Sequence, residues 1–122
     1  RIYAAVPLGT WERLRDTARA WRAAGRALPG PGPNGGGPDA GLRAGDAWLA
    51  IGGLKGYVDG SLGSHTAAML APFADAPADR GLLVTPPDRL EAWTRGAAAA
   101  GLQVMVHAIG DRAVRAQLDV YE

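Results

Sequence analysis

Cysteine is absent from the 122 residues, which removes disulfides and thiolate metal sites. Histidine is scarce, with only His65 and His107. Aromatic residues are 7% of the chain and show no stacking pattern, and 13 Lys+Arg against 12 Asp+Glu leave a net charge of +1. The basic residues interleave with acids, so no electrostatic footprint for nucleic acid exists and none is expected as a partner. No apolar run approaches the roughly 20 residues needed to span a bilayer. No basic-plus-apolar leader opens the chain, and no membrane partner is expected. A cysteine-free chain is compatible with the cytoplasm, the compartment expected here. The chain starts at Arg1 in what reads as a strand and stops at Glu122 in what reads as a helix. It is therefore expected to be a piece of a longer protein.

What is present is an alternation of strands and helices. Arg1–Leu8 reads as a short apolar strand that Pro7 ends or places at an edge. Thr10 suits the N-cap of a helix over 11–24, where Trp11, Leu14, Ala18 and Trp21 recur at helical spacing and Gly25 marks the stop. Residues 26–47 form a Gly/Pro-rich segment read as a flexible surface loop. Asp46–Ile51 is an extended lead-in to a central strand, Gly53–Asp59. On that strand Lys55, Tyr57 and Asp59 alternate and share one face, while Leu54 and Val58 take the other.

Residues 60–85 read as a covering loop in which Thr66–Ala71 makes one or two helical turns and Gly81–Thr85 is extended. Thr85, Pro86 and Pro87 open a helix with a buried stripe of Leu90, Trp93, Ala97 and Ala100, closed by Gly101. Leu102–His107 is the next strand, expected to be buried on both faces. Asp111 suits the cap of a last helix, with Ala113, Val114, Leu118 and Tyr121 on its apolar side. This order predicts an α/β fold with parallel strands and right-handed crossovers. A full (β/α)8 TIM barrel needs about 250 residues. Residues 1–122 are thus predicted to be a partial barrel of about three parallel strands with flanking helices. In such folds ligands bind at the strand C-terminal ends, where Asp59 and His107 fall.

Lys55 has three readings: a snorkelling or salt-bridged lysine, a Schiff-base nucleophile, or a lysine carboxylated by CO2 into an anionic carbamate able to bridge two divalent metals. The last two need a neutral amine, against an ordinary lysine pKa of about 10.4. His107, ending an apolar strand, is either a satisfied structural histidine or a metal ligand. Asp59 is either a loop anchor or a substrate or supporting contact. Asp111 is most simply a helix cap. Ser61 and Ser64 lie near one base, His65, but no Gly-x-Ser-x-Gly elbow is present. Gly60-Ser-Leu-Gly63 lacks the Gly-Lys-Ser/Thr of a P-loop.

Leu54-Lys-Gly-Tyr-Val-Asp-Gly-Ser-Leu-Gly-Ser-His-Thr-Ala-Ala68 resembles a signature of the amidohydrolase superfamily, in the amidohydrolase-3 branch that includes N-substituted formamide deformylase-like enzymes. Pro72-Phe-Ala-Asp75, Arg80-Gly-Leu-Leu83 and Gly101-Leu-Gln-Val-Met-Val-His-Ala-Ile-Gly-Asp-Arg-Ala113 extend the match in the same order. The resemblance implies a metal-dependent barrel hydrolase acting on amide-like C–N bonds of a small molecule. It implies a divalent metal, expected to be zinc, held by Lys55 as a carboxylated lysine and by His107. Asp59, Ser61, His65 and Asp111 are the candidates for substrate or supporting contacts. His65 stands where the family often has Arg.

The superfamily's His-x-His pair on strand one, its strand-six His and its strand-eight Asp have no counterparts in this sequence. No complete catalytic set is therefore expected, since a catalytic zinc normally takes three protein ligands and a water. The isolated chain is expected to be inactive and to bind metal weakly or not at all. Two other readings stand beside this one. One is a Schiff-base lyase using Lys55. The other is a non-catalytic α/β fragment that self-associates into a homo-oligomer through exposed sheet edges.

Overall fold

A computed structural model describes residues 2–26, 44–45 and 48–122. Most of the 26–47 segment, expected to be a flexible loop, lies outside the described residues, as do Asp46 and Ala47 of the lead-in. The elements in chain order are β1 (Ile2–Pro7), a 3-10 turn (Leu8–Thr10), α1 (Trp11–Ala23), β2 (Ala44–Gly45), β3 (Leu49–Tyr57), α2 (Pro87–Ala99), β4 (Gln103–His107) and α3 (Asp111–Tyr121). β3 is the central strand and pairs with each of the others. β1, β3 and β4 are the three parallel strands, and the short β2 runs antiparallel to β3. The fold is α/β, with the strand–helix alternation of part of a (β/α)8 barrel. No described helix is long and apolar enough to cross a membrane.

The chain divides into two compact units. The first comprises Arg1–Lys55 and Trp93–Met105, the second Gly56–Ala92 and Val106–Glu122. In the first, β3 is longer than the sequence suggested, because the expected lead-in and central strand are one strand running through Gly52 and Gly53. Gly53 makes this continuity workable. A Cβ there would meet the Met105 side chain at 2.7 Å and those of Ala5 and Tyr3 at 3.2 and 3.4 Å. The parallel register slips between Ala4 and Ala5, so Gly52 has no partner on β1.

Leu14 and Ala18 of α1 are buried with Leu8, Leu54, Ala97 and Leu102. Gly96 is tolerated inside α2, despite its helix cost of about 1 kcal/mol, because the Trp11 ring sits where its Cβ would be. Gly25 and Gly101 follow their helices with φ of 70° and 71°, the left-handed conformation that ends a helix at low cost to glycine. Thr10 is not a side-chain cap. Its hydroxyl donates to the Pro7 carbonyl at 2.7 Å, inside the 3-10 turn that carries the chain into α1.

In the second unit the buried apolar residues include Val58, Ala67, Ala68, Leu90, Ala113 and Val120. The expected helical turn at Thr66–Ala71 is absent. Its amides are directed to separate partners instead of one helical ladder. Thr66 and Ala67 donate to the Ser61 carbonyl, Met69 to the Arg80 carbonyl, Ala68 to the Asp59 carboxylate and Leu70 to the Asp111 carboxylate. Gly81–Thr85 holds its extended path by one antiparallel bridge, Leu83 with Asp59, and by Val84 donating to the Val58 carbonyl at 2.7 Å. Thr85 does not cap α2, since its hydroxyl donates to the Tyr57 carbonyl.

α3 buries Ala113 as expected, but the rest of its inward face differs from the expected one. Ala113, Gln117 and Val120 are buried, while Val114, Leu118 and Tyr121 are exposed. Its first turn is anchored by Arg112 and Ala113 donating to the Ala68 carbonyl at 3.1 and 3.3 Å, which fixes the rotation of the helix. As a result the Gln117 carboxamide is buried with neither its nitrogen nor its oxygen hydrogen-bonded. An unpaired buried amide costs roughly 1–3 kcal/mol, and an apolar group of the same shape removes the cost. Gln117→Met is therefore expected to stabilise the chain by about 1 kcal/mol or more, read as a higher urea midpoint at unchanged slope. A lower midpoint would show that the amide is satisfied.

Candidate functional site

His107 ends β4, and two backbone contacts define its surroundings. Its carbonyl accepts the Val58 N–H at 2.8 Å. Its Nε2 lies 2.6 Å from the Gly60 carbonyl oxygen. A carbonyl only accepts, so Nε2 carries the proton, and in the neutral ring Nδ1 is left with a free lone pair. The Tyr57 ring stands 5.4 Å from the imidazole, tilted by 44°. The side chain of His107 is 27% exposed.

Asp59 lies beyond the end of β3 and is fully buried, at 1% exposure. Its Oδ2 accepts the N–H groups of Ala68 at 2.9 Å and Gly110 at 2.8 Å. Oδ1 accepts the Ile109 N–H at 3.0 Å and stands 3.6 Å from His107 Nε2. Three backbone donors satisfy this carboxylate, which is how a buried charge becomes tolerable. The structure therefore makes Asp59 an anchor between the Gly/Ser loop and the turn after β4.

Asp111 is the first residue of α3 rather than its cap, which is Gly110. Its Oδ1 accepts the Leu70 N–H at 2.7 Å and the Arg112 N–H at 2.8 Å, so it too ties the covering loop down. Ser61, Ser64 and Thr66 form a hydroxyl chain, Ser61 Oγ to Ser64 Oγ at 2.8 Å and Ser64 Oγ to Thr66 Oγ1 at 2.6 Å. No base is hydrogen-bonded into that chain among the described residues, since His65 turns elsewhere. It stacks on Phe73 with ring centres 4.5 Å apart and its Nε2 is 3.1 Å from Asp75 Oδ2. His65 holds a φ of 53°, uncommon for a residue with a side chain. Lys55 is half-buried on β3, in register with Pro7 of β1.

The second unit thus brings together Asp59, Gly60 and His107, with Asp111 and the Ser61–Thr66 turn tied to the same loop. Gly60 was not singled out as a contact by sequence, because the group involved is a backbone carbonyl. Its place directly after Asp59 was the only signal. Tyr57 was read as a face-mate of Lys55, and its closeness to His107 follows from both residues ending strands.

A family model described as the amidohydrolase family matches residues 5–122. The chain belongs to the amidohydrolase family. Two curated relatives align with this amidohydrolase chain over 75 residues, 62% of its length. "Protein LONG AFTER FAR-RED 3" of Arabidopsis thaliana is 47% identical over a stretch making up 13% of that protein. "Putative amidohydrolase YtcJ" of Bacillus subtilis (strain 168) is 36% identical over 14% of its length. Two solved structures, each an uncharacterized metal-dependent hydrolase, are similar over 99% of the chain at 30% identity. That from Pyrococcus furiosus has a TM-score of 0.71 with 21% of its chain covered, and that from Pyrococcus horikoshii OT3 a TM-score of 0.72 with 20% covered. The amidohydrolase chain therefore spans about a fifth or less of the length of these relatives.

Metal dependence in those neighbours raises the question of whether His107 fits a metal. Histidine ligands ordinarily donate their other ring N–H to a carbonyl or carboxylate, which fixes the tautomer. His107 makes a contact of this kind with Gly60, which leaves Nδ1 as the nitrogen with which the neutral ring could bind a metal. Among the described residues no group of three or more His, Cys, Asp and Glu could hold a metal.

Proposed function

We propose that the intact amidohydrolase to which these 122 residues correspond is a metal-dependent hydrolase of amide-like C–N bonds in small molecules, in the N-substituted formamide deformylase-like branch. The reading rests on one observation above the others: His107 Nε2 lies 2.6 Å from the Gly60 carbonyl oxygen, which in the neutral ring leaves Nδ1 as the nitrogen for a metal. His107 would hold a divalent metal, proposed to be zinc. Lys55 is proposed as a carboxylated ligand on the strength of its place in the Lys-x-x-x-Asp-Gly-Ser-Leu-Gly-Ser pattern. A metal bound there supplies Lewis-acid polarisation and a water acidified toward neutrality. The chain's own contribution is to orient the imidazole and to pin the loop beside it. Asp59, Ser61, His65 and Asp111 are assigned to loop support, because each already has a polar atom engaged with the loop or the turn after β4. The cysteine-free sequence fits a reducing compartment, and the cytoplasm is the location proposed.

The test uses the intact protein, purified and assayed on a panel of N-substituted formamides and simple amides, with metal content measured alongside. Hydrolysis that is lost on chelation and restored by added zinc is the expected result. A metal-replete protein that cleaves none of the panel would overturn the substrate class, and a fully active metal-free protein would overturn the metal. The 122-residue chain by itself is expected to give no turnover, because it offers at most two of the three protein ligands a catalytic zinc takes. Metal-dependent turnover by that chain would refute this expectation.

A further inference from the structure

We infer that Asp59 is a positioning residue for His107, one that fixes the imidazole as its Nε2–H tautomer without touching substrate or metal. The carboxylate is buried at 1% exposure, and its two oxygens are taken by the N–H groups of Ala68, Gly110 and Ile109. Three of its roughly four lone-pair sites are thus engaged by backbone donors and the group is closed off from solvent, so its effect must pass through what it holds.

It holds both sides of the histidine. Ile109 and Gly110, two and three residues after His107, are bound directly to the carboxylate. Gly60, the residue after Asp59, presents the carbonyl that accepts His107 Nε2–H at 2.6 Å. Gly60 is itself fixed by donating to the Thr66 carbonyl at 3.0 Å. Charge acts in the same direction as geometry. Asp59 Oδ1 lies 3.6 Å from Nε2, and a negative oxygen favours a proton on the facing nitrogen. With Nε2 bare, two lone pairs would oppose each other across the contact to Gly60. The inference rests on the proposed function only for why a bare Nδ1 is useful; the tautomer itself is a property of the metal-free chain.

The chain has only two histidines, so imidazole nitrogen NMR on the isotope-labelled 122-residue chain, without metal, gives two resolvable ring systems. In the wild type His107 is expected as the Nε2–H tautomer, with a slowly exchanging ring proton. Asp59→Asn keeps the shape but places an NH2 against backbone donors. It should leave His107 as a mixture of tautomers in fast exchange, with His65 and the helical signal unchanged. A folded Asp59→Asn chain that keeps a pure Nε2–H ring would overturn the proposal, as would a wild-type His107 protonated on Nδ1. Unfolded signals from both histidines in the wild type would also overturn it, because the node is assigned to this chain's own backbone.

If Asp59→Asn does not fold, the wild type decides. Hydrogen-bond scalar couplings from the Ala68 and Gly110 amide nitrogens to Asp59 Cγ, together with one from His107 Nε2 to the Gly60 carbonyl carbon, support the node. Their absence refutes it. Failure of hydrolysis in the intact protein leaves these outcomes untouched, so the two proposals fall separately.

Discussion

His107→Asn in the intact protein is expected to lower turnover by two orders of magnitude or more and to lower bound metal in parallel. The size follows from the proposed role. A metal that polarises the substrate and acidifies water is worth several kcal/mol of barrier, and each 1.36 kcal/mol is tenfold in rate. Losing a ligand removes most of that, whereas losing a supporting residue around a ligand typically costs 10- to 100-fold. Asn places its amide near the position of the imidazole Nδ1 and is too short to reach from the position of Nε2, so the loop contact at 2.6 Å to Gly60 is lost together with the Nδ1 lone pair. Turnover and metal content measured on the same preparations, with circular dichroism for the fold, separate the cases. Full metal content with lost activity would move His107 from metal ligand to substrate contact. Unchanged activity and metal would remove it from the site altogether.

The main alternation of strands and helices was legible in the sequence because it depends on periodicity, which burial imposes over several residues at once, whereas β2 was not read and β3 ends at Tyr57 rather than Asp59. β4 was readable from its apolar run, with Gln103 and His107 as its two polar residues, although the strand is half-buried throughout rather than buried on both faces as expected. Gly25 and Gly101 were equally legible, since a left-handed φ narrows the choice of residue.

The side-chain caps were not. Thr10, Thr85 and Asp111 are all capping residue types at helix starts, yet their side chains bond to Pro7, Tyr57 and Leu70 respectively. Two of these partners lie 28 and 41 residues away in sequence, and a local preference worth about 1 kcal/mol carries no information about them. α3 shows the same limit for faces. Its sequence holds both an Ala113–Gln117–Val120 stripe and a Val114–Leu118–Tyr121 stripe, and the second is the more apolar. The first turns inward because the Ala68 carbonyl takes the Arg112 and Ala113 N–H groups. That anchor is tertiary and leaves no mark in the helix's own pattern. Asp59 falls between these cases: its type and its place before glycine suggested a loop anchor, but which backbone groups it anchors could not be read from the chain.

The stability of this arrangement is expected to depend most sharply on Gly110. Its backbone is ordinary, with φ of −68° and ψ of 150°, so alanine would meet no torsional penalty there. The obstacle is space. A Cβ at residue 110 would fall inside van der Waals contact with the Ala68 carbonyl oxygen and carbon, and 2.7 Å from its nitrogen. Those are backbone atoms that cannot rotate away. Ala68 is held on both sides, its N–H on Asp59 at 2.9 Å and its carbonyl on Arg112 and Ala113. Relieving the clash means moving the turn, which also withdraws the Gly110 N–H from the buried Asp59 carboxylate. Charge-assisted bonds of this kind contribute about 1.5–3 kcal/mol each, so Gly110→Ala is expected to destabilise the chain by about 3 kcal/mol or more. Gly63 supplies the control: it is exposed, and a Cβ there meets nothing within 4 Å. Gly63→Ala should stay within about 0.5 kcal/mol of wild type, as surface substitutions usually do. Urea unfolding of the three chains checks the pair. Equal midpoints for the two variants would mean that the Ala68–Asp59–Gly110 contact does not hold the turn after β4, and that His107 is positioned by β4 alone.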